Sequence, residues 1–566
     1  MRDSGIPQAV RDIDLPEPAT YKPYWLQRSS TTSKDEVVVE DKPVQERLDL
    51  ASQAIPGFAA QLNGRLSDEP KHSSAPQQRW TISDFAEAYR RGLTTPSEVA
   101  QRIINLIWEQ DSCDPPMRMI LAHIPDDLRK QAAASTARFK QGKPLSILDG
   151  VPYTIIDGID ALPYGTTAGT TFMHKHRPVT GSAPCIEQLA ASGALLIGKS
   201  NLHEIGVGMT GLNTRHGTTR NPHDPRCYTG GSSSGSAAAV ASGLCPFALG
   251  IDGGGSVRVP SALCGIVGLR PTVGRTSTQN CPENAFSIMS FGTHTTCVAD
   301  AMLIYSVIAN AGTELATPRP APLRVPSQLF DDTPAAAELV MPLKGRRVGV
   351  YKQLFEDASP EVVSACRNAV DLLREHGCEV VPICVPDLEL VRVAQILTIS
   401  SEMCQAYKFA MADSKLRSQF NLETRVSLAA AARFTATDYL QAQKIRTRLM
   451  IHYTRIFYEK DVDYVATPTT GTTAPIIRED ALAMGETDLP QTGELMRFTI
   501  SANMAGIPAI SVPVGHCSKG LPIGLQLMGR PWEEASLLYA SSVLESAVKP
   551  LMRMPAVSYN LLDSQH

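Results

Sequence analysis

"TGGSSSGSAAAVASG", residues 229–243, and "GIDGGGSVRVPSALCGIVGLRPTVGR", residues 250–275, decide how this chain is read. In the first, Gly230 and Gly231 lead into a serine cluster and then a run of small helix-formers. In the second, Gly253, Gly254 and Gly255 lead into Ser256. A Gly/Ser cluster alone reads as a flexible loop. The second stretch is less easily a loop, because apolar segments flank it on both sides. Glycines let backbone N–H groups converge on one small volume. Beside a serine hydroxyl, such groups make an oxyanion hole next to a nucleophile. The Lys-Ser/Thr ending of a phosphate loop is missing, as is dinucleotide glycine spacing. No glycine follows Ser256 at the position a G-x-S-x-G elbow needs.

Outward from these stretches, helical and strand-like segments alternate through 120–310, which predicts a layered α/β body. "TTPSEVAQRIINLIWEQ" predicts a helix start, with Thr95 as N-cap, Pro96 in the first turn and Glu98 closing a capping box. Val99, Ile103, Ile104 and Ile107 fall on its apolar face. "LDGVPYTIIDGIDALPYG", residues 148–165, reads as a buried strand closed by Asp157 and Gly158. A Pro-rich connector at 317–328 precedes "RRVGVY", "PEVVSACRNAVDLLREHGC" and "EVVPICV", a further strand–helix–strand unit. Helices dominate 387–460, and "VDYVATPTT" and "IPAISVPVG" return to strands. Residues 1–75 are rich in Pro, Ser, Thr and charge and form an extension, partly disordered or draped on the body. Within it, "LASQAIPGFAAQL" (50–62) suggests one amphipathic helix. The body is expected over 76–566, with a less typical segment at about 313–440.

The bulk composition narrows the function classes. The chain has 566 residues, 43% hydrophobic and 19% charged, with net charge −4. No basic run favours a nucleic acid. No apolar segment has membrane-span or signal-peptide length. Twelve cysteines are scattered without CxxC or zinc-ligand spacing. A cytoplasmic protein with reduced thiols, no metal and no cofactor is expected.

Beyond these readings, the chain resembles the amidase signature family of serine hydrolases. "GKSNLHEIGVGMTGLNTRHGTTRNPHDP" (198–225), "GGSSSGSAAAVASGL" (230–244) and "DGGGSVRVPSALCGIVGLRPTVGR" (252–275) follow its central signature in order. Later blocks, "DYLQAQKIRTRLM", "DVDYVATPTTGTTAP", "FTISANMAGIPAISVPVG" and "GLPIGLQLMGRPWEEASLL", extend the resemblance to roughly 78–548. The resemblance implies one α/β domain with a large, twisted, mixed, mostly parallel sheet covered by helices on both faces. It implies a Ser–cis-Ser–Lys triad that breaks amide bonds. Ser256 then matches the nucleophile, and Ser232 matches the bridging serine on a cis peptide bond. The amides of Gly253, Gly254, Gly255 and Ser256 match the oxyanion hole, and Gly208, Met209 and Thr210 fall in the substrate-binding segment. The implied partner is a small-molecule amide or ester, with a homodimer left open.

One position departs from the pattern. The family's lysine belongs in a Gly-Val-Pro-x-x-x-Lys-Asp stretch, here "GVPYTIID", so the position is Ile156 and Asp157 keeps the register. Ser234 and Gly253 are smaller departures, for a usual glycine and threonine. A serine hydroxyl needs a base at neutral pH, and isoleucine is none. Lys199, Asp157, His203 and His216 are the titratable residues within the motif blocks that could substitute. Three functions follow: a hydrolase or acyl transferase with an altered proton relay, a non-hydrolytic cyclisation or condensation enzyme reusing the pocket, or an inactive binding protein.

Overall fold

The computed structural model describes residues 10–11, 13, 15–23, 25, 35–56, 79–282, 284–309, 321–330 and 341–562. Its strands are β1 (Glu36–Val38), β2 (Ile120–Ala122), β3 (Pro152–Ile156), β4 (Leu195–Ser200), β5 (Arg220–Asn221), β6 (Asp224–Tyr228), β7 (Phe247–Asp252) and β8 (Val267–Arg270). They continue with β9 (Ser290–Thr295), β10 (Arg324–Pro326), β11 (Arg347–Val350), β12 (Glu379–Pro382), β13 (Tyr464–Pro468), β14 (Ala509–His516) and β15 (Pro522–Gly529).

Eleven of these form one sheet, in the order β12-β11-β13-β15-β14-β8-β9-β7-β3-β4-β2. The sheet is large and mixed, with helices packed around it, and the architecture is α/β. Parallel pairing forms two flanking blocks, β12-β11-β13 and β7-β3-β4. The strands between those blocks, and the edge pair β4-β2, are antiparallel. Connection length explains the difference. The parallel crossovers contain helices, Pro184–Ala191 between β3 and β4 and Pro360–Glu375 between β11 and β12. The short link after β14 leaves room only for a hairpin into β15. Strand β3 is buried along its whole length, which explains why "PYTII" has no polar alternation.

Local signals explain several helices. Thr95 Oγ1 accepts from Glu98 N at 3.2 Å, and Glu98 Oε2 accepts from Thr95 N at 2.9 Å, which completes the expected capping box. Val99, Ile103, Ile104 and Ile107 are all buried behind it. The expected helix over 50–62 is displaced. The helix spans Val44–Gln53, with Ala54 as its C-cap. Pro56 disfavours helical geometry at the residue before it, so the apolar run cannot continue as one helix; residues 57–62 lie outside the described residues. The described part of the extension lies on the body. Arg11 donates to both carboxylate oxygens of Asp438 at 2.6 and 2.8 Å, and Arg448 donates to Glu17 at 2.9 Å. Trp25 donates its indole N–H to Ala505 O at 2.8 Å, and β1 pairs antiparallel with β10.

Candidate active site

Three parallel strands end together. Strand β3 ends at Ile156, β4 at Ser200 and β7 at Asp252. The crevice outside the carboxyl ends of such strands is where α/β sheets place their sites. The loop that follows β7 carries Gly253 to Ser256. The loop that precedes helix Ser234–Ala241 carries Ser232.

These two loops are joined directly. Ser233 N donates to Ser256 O at 3.3 Å, and the Gly231–Ser232 peptide bond is cis. Ser232 O accepts from His203 N at 3.0 Å and from Ser234 N at 2.9 Å. Ser232 and Ser256 are 4% and 5% exposed, so both hydroxyl-bearing residues are nearly sealed from solvent. Met209 covers the second: its Sδ lies 3.9 Å from Ser256 Oγ.

An ion-pair clamp shapes the glycine loop. Asp252 accepts from Arg258 Nε at 3.0 Å and from Arg258 Nη2 at 2.9 Å. It also accepts from Gly255 N at 2.8 Å and Val257 N at 3.2 Å. Asn503 Nδ2 donates to the same carboxylate at 2.9 Å. Burial alone would raise the Asp252 carboxyl, but Arg258, its hydrogen bonds and Arg270 outweigh burial and hold it well below the usual range. Arg258 is itself fully buried and also donates to Thr499 O at 3.0 Å. Gly255 has φ +120°, and a Cβ there would sit 2.4 Å from Thr499 Oγ1, so no other residue fits. Its N–H already serves Asp252. Among the described residues, the amides of Gly253, Gly254 and Ser256 have no hydrogen-bond acceptor.

Alternation along the strands fixes where Ile156 and Lys199 point. In the β3–β4 register, Ile156 pairs with Ser200 and Ile155 with Lys199. Cross-strand partners share a sheet face. Ser200 Oγ lies 2.7 Å from Ser236 Oγ in the serine helix. On β7, a Cβ at Gly250 would lie 2.8 Å from Ser233 Oγ. Ile156 therefore shares the face that carries the serine helix. Lys199 takes the opposite face with Ile155.

The other titratable candidates are accounted for. Lys199 Nζ lies 3.2 Å from Asp157 Oδ1, donates to Thr166 Oγ1 at 3.0 Å and also bonds Ile159 O. Burial pushes its ammonium below the ordinary value, against the pull of Asp157. Asp157 also accepts from Thr167 N at 3.1 Å and from the Thr167 hydroxyl. His216 Nε2 lies 3.1 Å from Thr170 O, turned to another loop. His203 presents its ring to Glu423 at 3.2 Å rather than to Ser232. Burial opposes its protonation, but Glu423 outweighs burial and raises the imidazole above its usual value. His294 also lies close, with Nε2 2.5 Å from where a Gly250 Cβ would be. Burial pushes it down to about 3, which leaves it neutral and a weak base.

Of the substrate-segment residues, Met209 reaches Ser256. Gly208 is a spacer: a Cβ there would lie 2.1 Å from His203 Cε1. Thr210 Oγ1 turns into its own loop and accepts from Leu212 N at 3.4 Å. Asp252, Arg258, Thr499 and Asn503 lie within blocks that carry the family resemblance, but sequence reasoning gave none of them a role. The one signal is Arg258, a lone charge inside the apolar "SVRVPSALC".

Comparison with known proteins bears on the family and the fold. The Amidase family model matches residues 105–538. A fatty acid amide hydrolase of Arabidopsis thaliana is 42% identical over 567 aligned residues, which cover 100% of this chain and 91% of that protein. A fatty acid amide hydrolase of Medicago truncatula is also 42% identical, over 99% of this chain and 90% of its own. The native peptide amidase of Stenotrophomonas maltophilia superposes with TM-score 0.68 at 26% identity, covering 84% of this chain and 98% of that one. With a family match across most of its length and serine and glycine loops meeting at three strand ends, the chain belongs to the amidase signature family.

Proposed function

We propose that the chain is an acyl-transferring hydrolase in which Ser256 attacks the carbonyl of a long-chain acyl amide or ester and Ser232 relays its proton. The amides of Gly253, Gly254 and Ser256 receive the oxyanion, while Gly255 supplies shape. The observation that carries this is the unengaged set of amides beside a covered serine hydroxyl, since preorganised donors are the costly part of such a site. The names of the relatives support the acyl amide. So do the apolar groups around Gly253: the positions its Cβ would meet are Ile399 Cδ1 at 3.5 Å, Ala285 Cβ at 3.6 Å and Met289 Cβ at 4.0 Å.

Ile156 stands where the family's motif places the lysine. It cannot accept a proton, and Lys199, on the other sheet face, does not replace it. The relay therefore lacks its terminal base. Loss of a general base removes about 10²–10⁴ in rate. Turnover is then slow on ordinary amides and faster on activated esters. The same residue supports a second reading, an inactive binding protein that keeps the pocket. Incubation with long-chain acyl esters and amides separates the two. The expected result is ester cleavage that Ser256→Ala abolishes. Equal cleavage by Ser256→Ala, or none by the parent, excludes the hydrolase.

A further inference from the structure

Two carbonyls of the glycine loop are held by side chains from distant parts of the chain. Thr499 Oγ1 donates to Gly254 O at 2.7 Å. Gln395 Nε2 donates to Gly253 O at 3.4 Å. Gln395 lies on helix Leu388–Ala406 and is fully buried. Its Nε2 is 3.1 Å from where a Gly254 Cβ would be, so the side chain lies against the loop itself.

A carbonyl fixed in this way also fixes an N–H. The peptide bonds of the loop are trans. In a planar trans unit, the C=O of one residue and the N–H of the next point in opposite directions. In the Gly254–Gly255 unit, Thr499 takes the carbonyl and Asp252 takes the N–H, at 2.8 Å. In the Gly253–Gly254 unit, Gln395 takes the carbonyl. The Gly254 N–H therefore points away from helix Leu388–Ala406, and it has no acceptor among the described residues. Both residues of this unit are glycines, so no Cβ resists a swing of the peptide plane. Asp252 holds only the later part of the loop, through the amides of Gly255 and Val257. Among the described residues, Gln395 is the one donor to Gly253 O.

Stability does not account for Gln395. Its Oε1 has no hydrogen-bond partner among the described residues, although the side chain is fully buried. An open buried acceptor costs desolvation, which a single long hydrogen bond offsets poorly. An apolar side chain of similar length would avoid that cost.

We propose that Gln395 is a positioning residue for the reaction: by holding Gly253 O, it aims the Gly254 N–H at the oxyanion formed when Ser256 attacks. The proposal rests on Ser256 as the nucleophile and on these amides as its oxyanion hole.

The test measures kcat and KM separately for a long-chain acyl p-nitrophenyl ester. Gln395→Met removes the donor and keeps the length of the side chain. Loss of one oxyanion donor costs about 10²–10³ in kcat. Here the donor stays but is no longer aimed, so kcat should fall at least tenfold while KM stays within twofold. Gln395→Leu, a second donor-free side chain, should match it. Tm should stay within about 1 °C of the parent, because one weak hydrogen bond and one unpaired acceptor are lost together. Thr398→Val is the control for the helix. Thr398 is buried on the same helix and accepts from Gln443 Nε2 at 3.0 Å. Its loss should lower Tm and leave kcat unchanged. An unchanged kcat in the Gln395 variants, or an equal loss of kcat in Thr398→Val, overturns the proposal. No ester cleavage by the parent, or cleavage that survives Ser256→Ala, removes the nucleophile assignment and this role with it. Cleavage that depends on Ser256 but not on Gln395 removes the positioning role alone.

Discussion

Arg258→Leu is the most informative single lesion in the scaffold of the site. Arg258 is fully buried and donates to Asp252 at 3.0 and 2.9 Å. Asn503, the amides of Gly255 and Val257, and Arg270 at 3.6 Å remain around the carboxylate, but its charge loses its nearest compensating partner. Removing one member of a buried ion pair costs about 3–5 kcal/mol. At about 2.1 cal/mol/K of unfolding entropy per residue, a chain of this length loses about 1 °C of Tm per 1.2 kcal/mol. A fall of about 3–4 °C in the first calorimetric transition is expected. Slower acylation of Ser256 should accompany it, because Asp252 holds the Gly255 N–H in place. Arg258→Leu with Asp252→Asn also removes the carboxylate that faces fully buried Arg270 at 3.6 Å, and should be less stable than Arg258→Leu. A fall below about 1 °C, or a double variant as stable as the parent, would refute the clamp.

Two further outcomes test the electrostatics and packing. Burial raises Glu204 and Glu545 to about 7 from an ordinary value of 4.5. A raised carboxyl contributes stability that is present below its unfolded value and lost as pH rises through its folded value. Tm should therefore fall between pH 5 and 8, and Glu545→Gln should flatten the fall; a Tm that rises over that window contradicts the assignment. The glycine loop should also tolerate substitution unevenly. Gly253→Thr meets its nearest atom at an ordinary 3.5 Å contact and should stay within about 1 kcal/mol of the parent in denaturant melts. Gly255→Ala forces a side chain to 2.4 Å from Thr499 at φ +120° and should cost about 1–3 kcal/mol or more. Equal tolerance at both would show that the loop is not held as described.

The parts legible in the sequence are those encoded locally. The capping box at Thr95 needs only four consecutive residues. The Gly/Ser loops carry their conformational requirement in their own glycines, and β3 announces its burial by a continuous apolar run. The antiparallel centre of the sheet is not legible, because pairing direction depends on how distant strands meet. The clamp residues Thr499 and Asn503 stand more than 200 residues from Asp252, and nothing near them marks that contact. Glu423 and Asn421 look like an ordinary acidic helix start, and only the fold shows that the Asn421 amide is buried without a hydrogen-bond partner. The helix expected over 50–62 lies earlier in the chain because the backbone constraint of Pro56 outweighs apolar composition.

The most direct measurement is the rate at which an alkyl fluorophosphonate modifies the chain, with the modified peptide identified by mass spectrometry, in the parent and in Ile156→Lys. Ile156 shares a sheet face with Ser200, whose hydroxyl contacts the serine helix, so an amine there stands on the side where Ser232 needs a base. The expected result is modification at Ser256 in both proteins, about 10²–10⁴ faster in Ile156→Lys. Modification at another residue, or equal rates in the two proteins, would contradict a Ser256 nucleophile whose relay ends at Ile156.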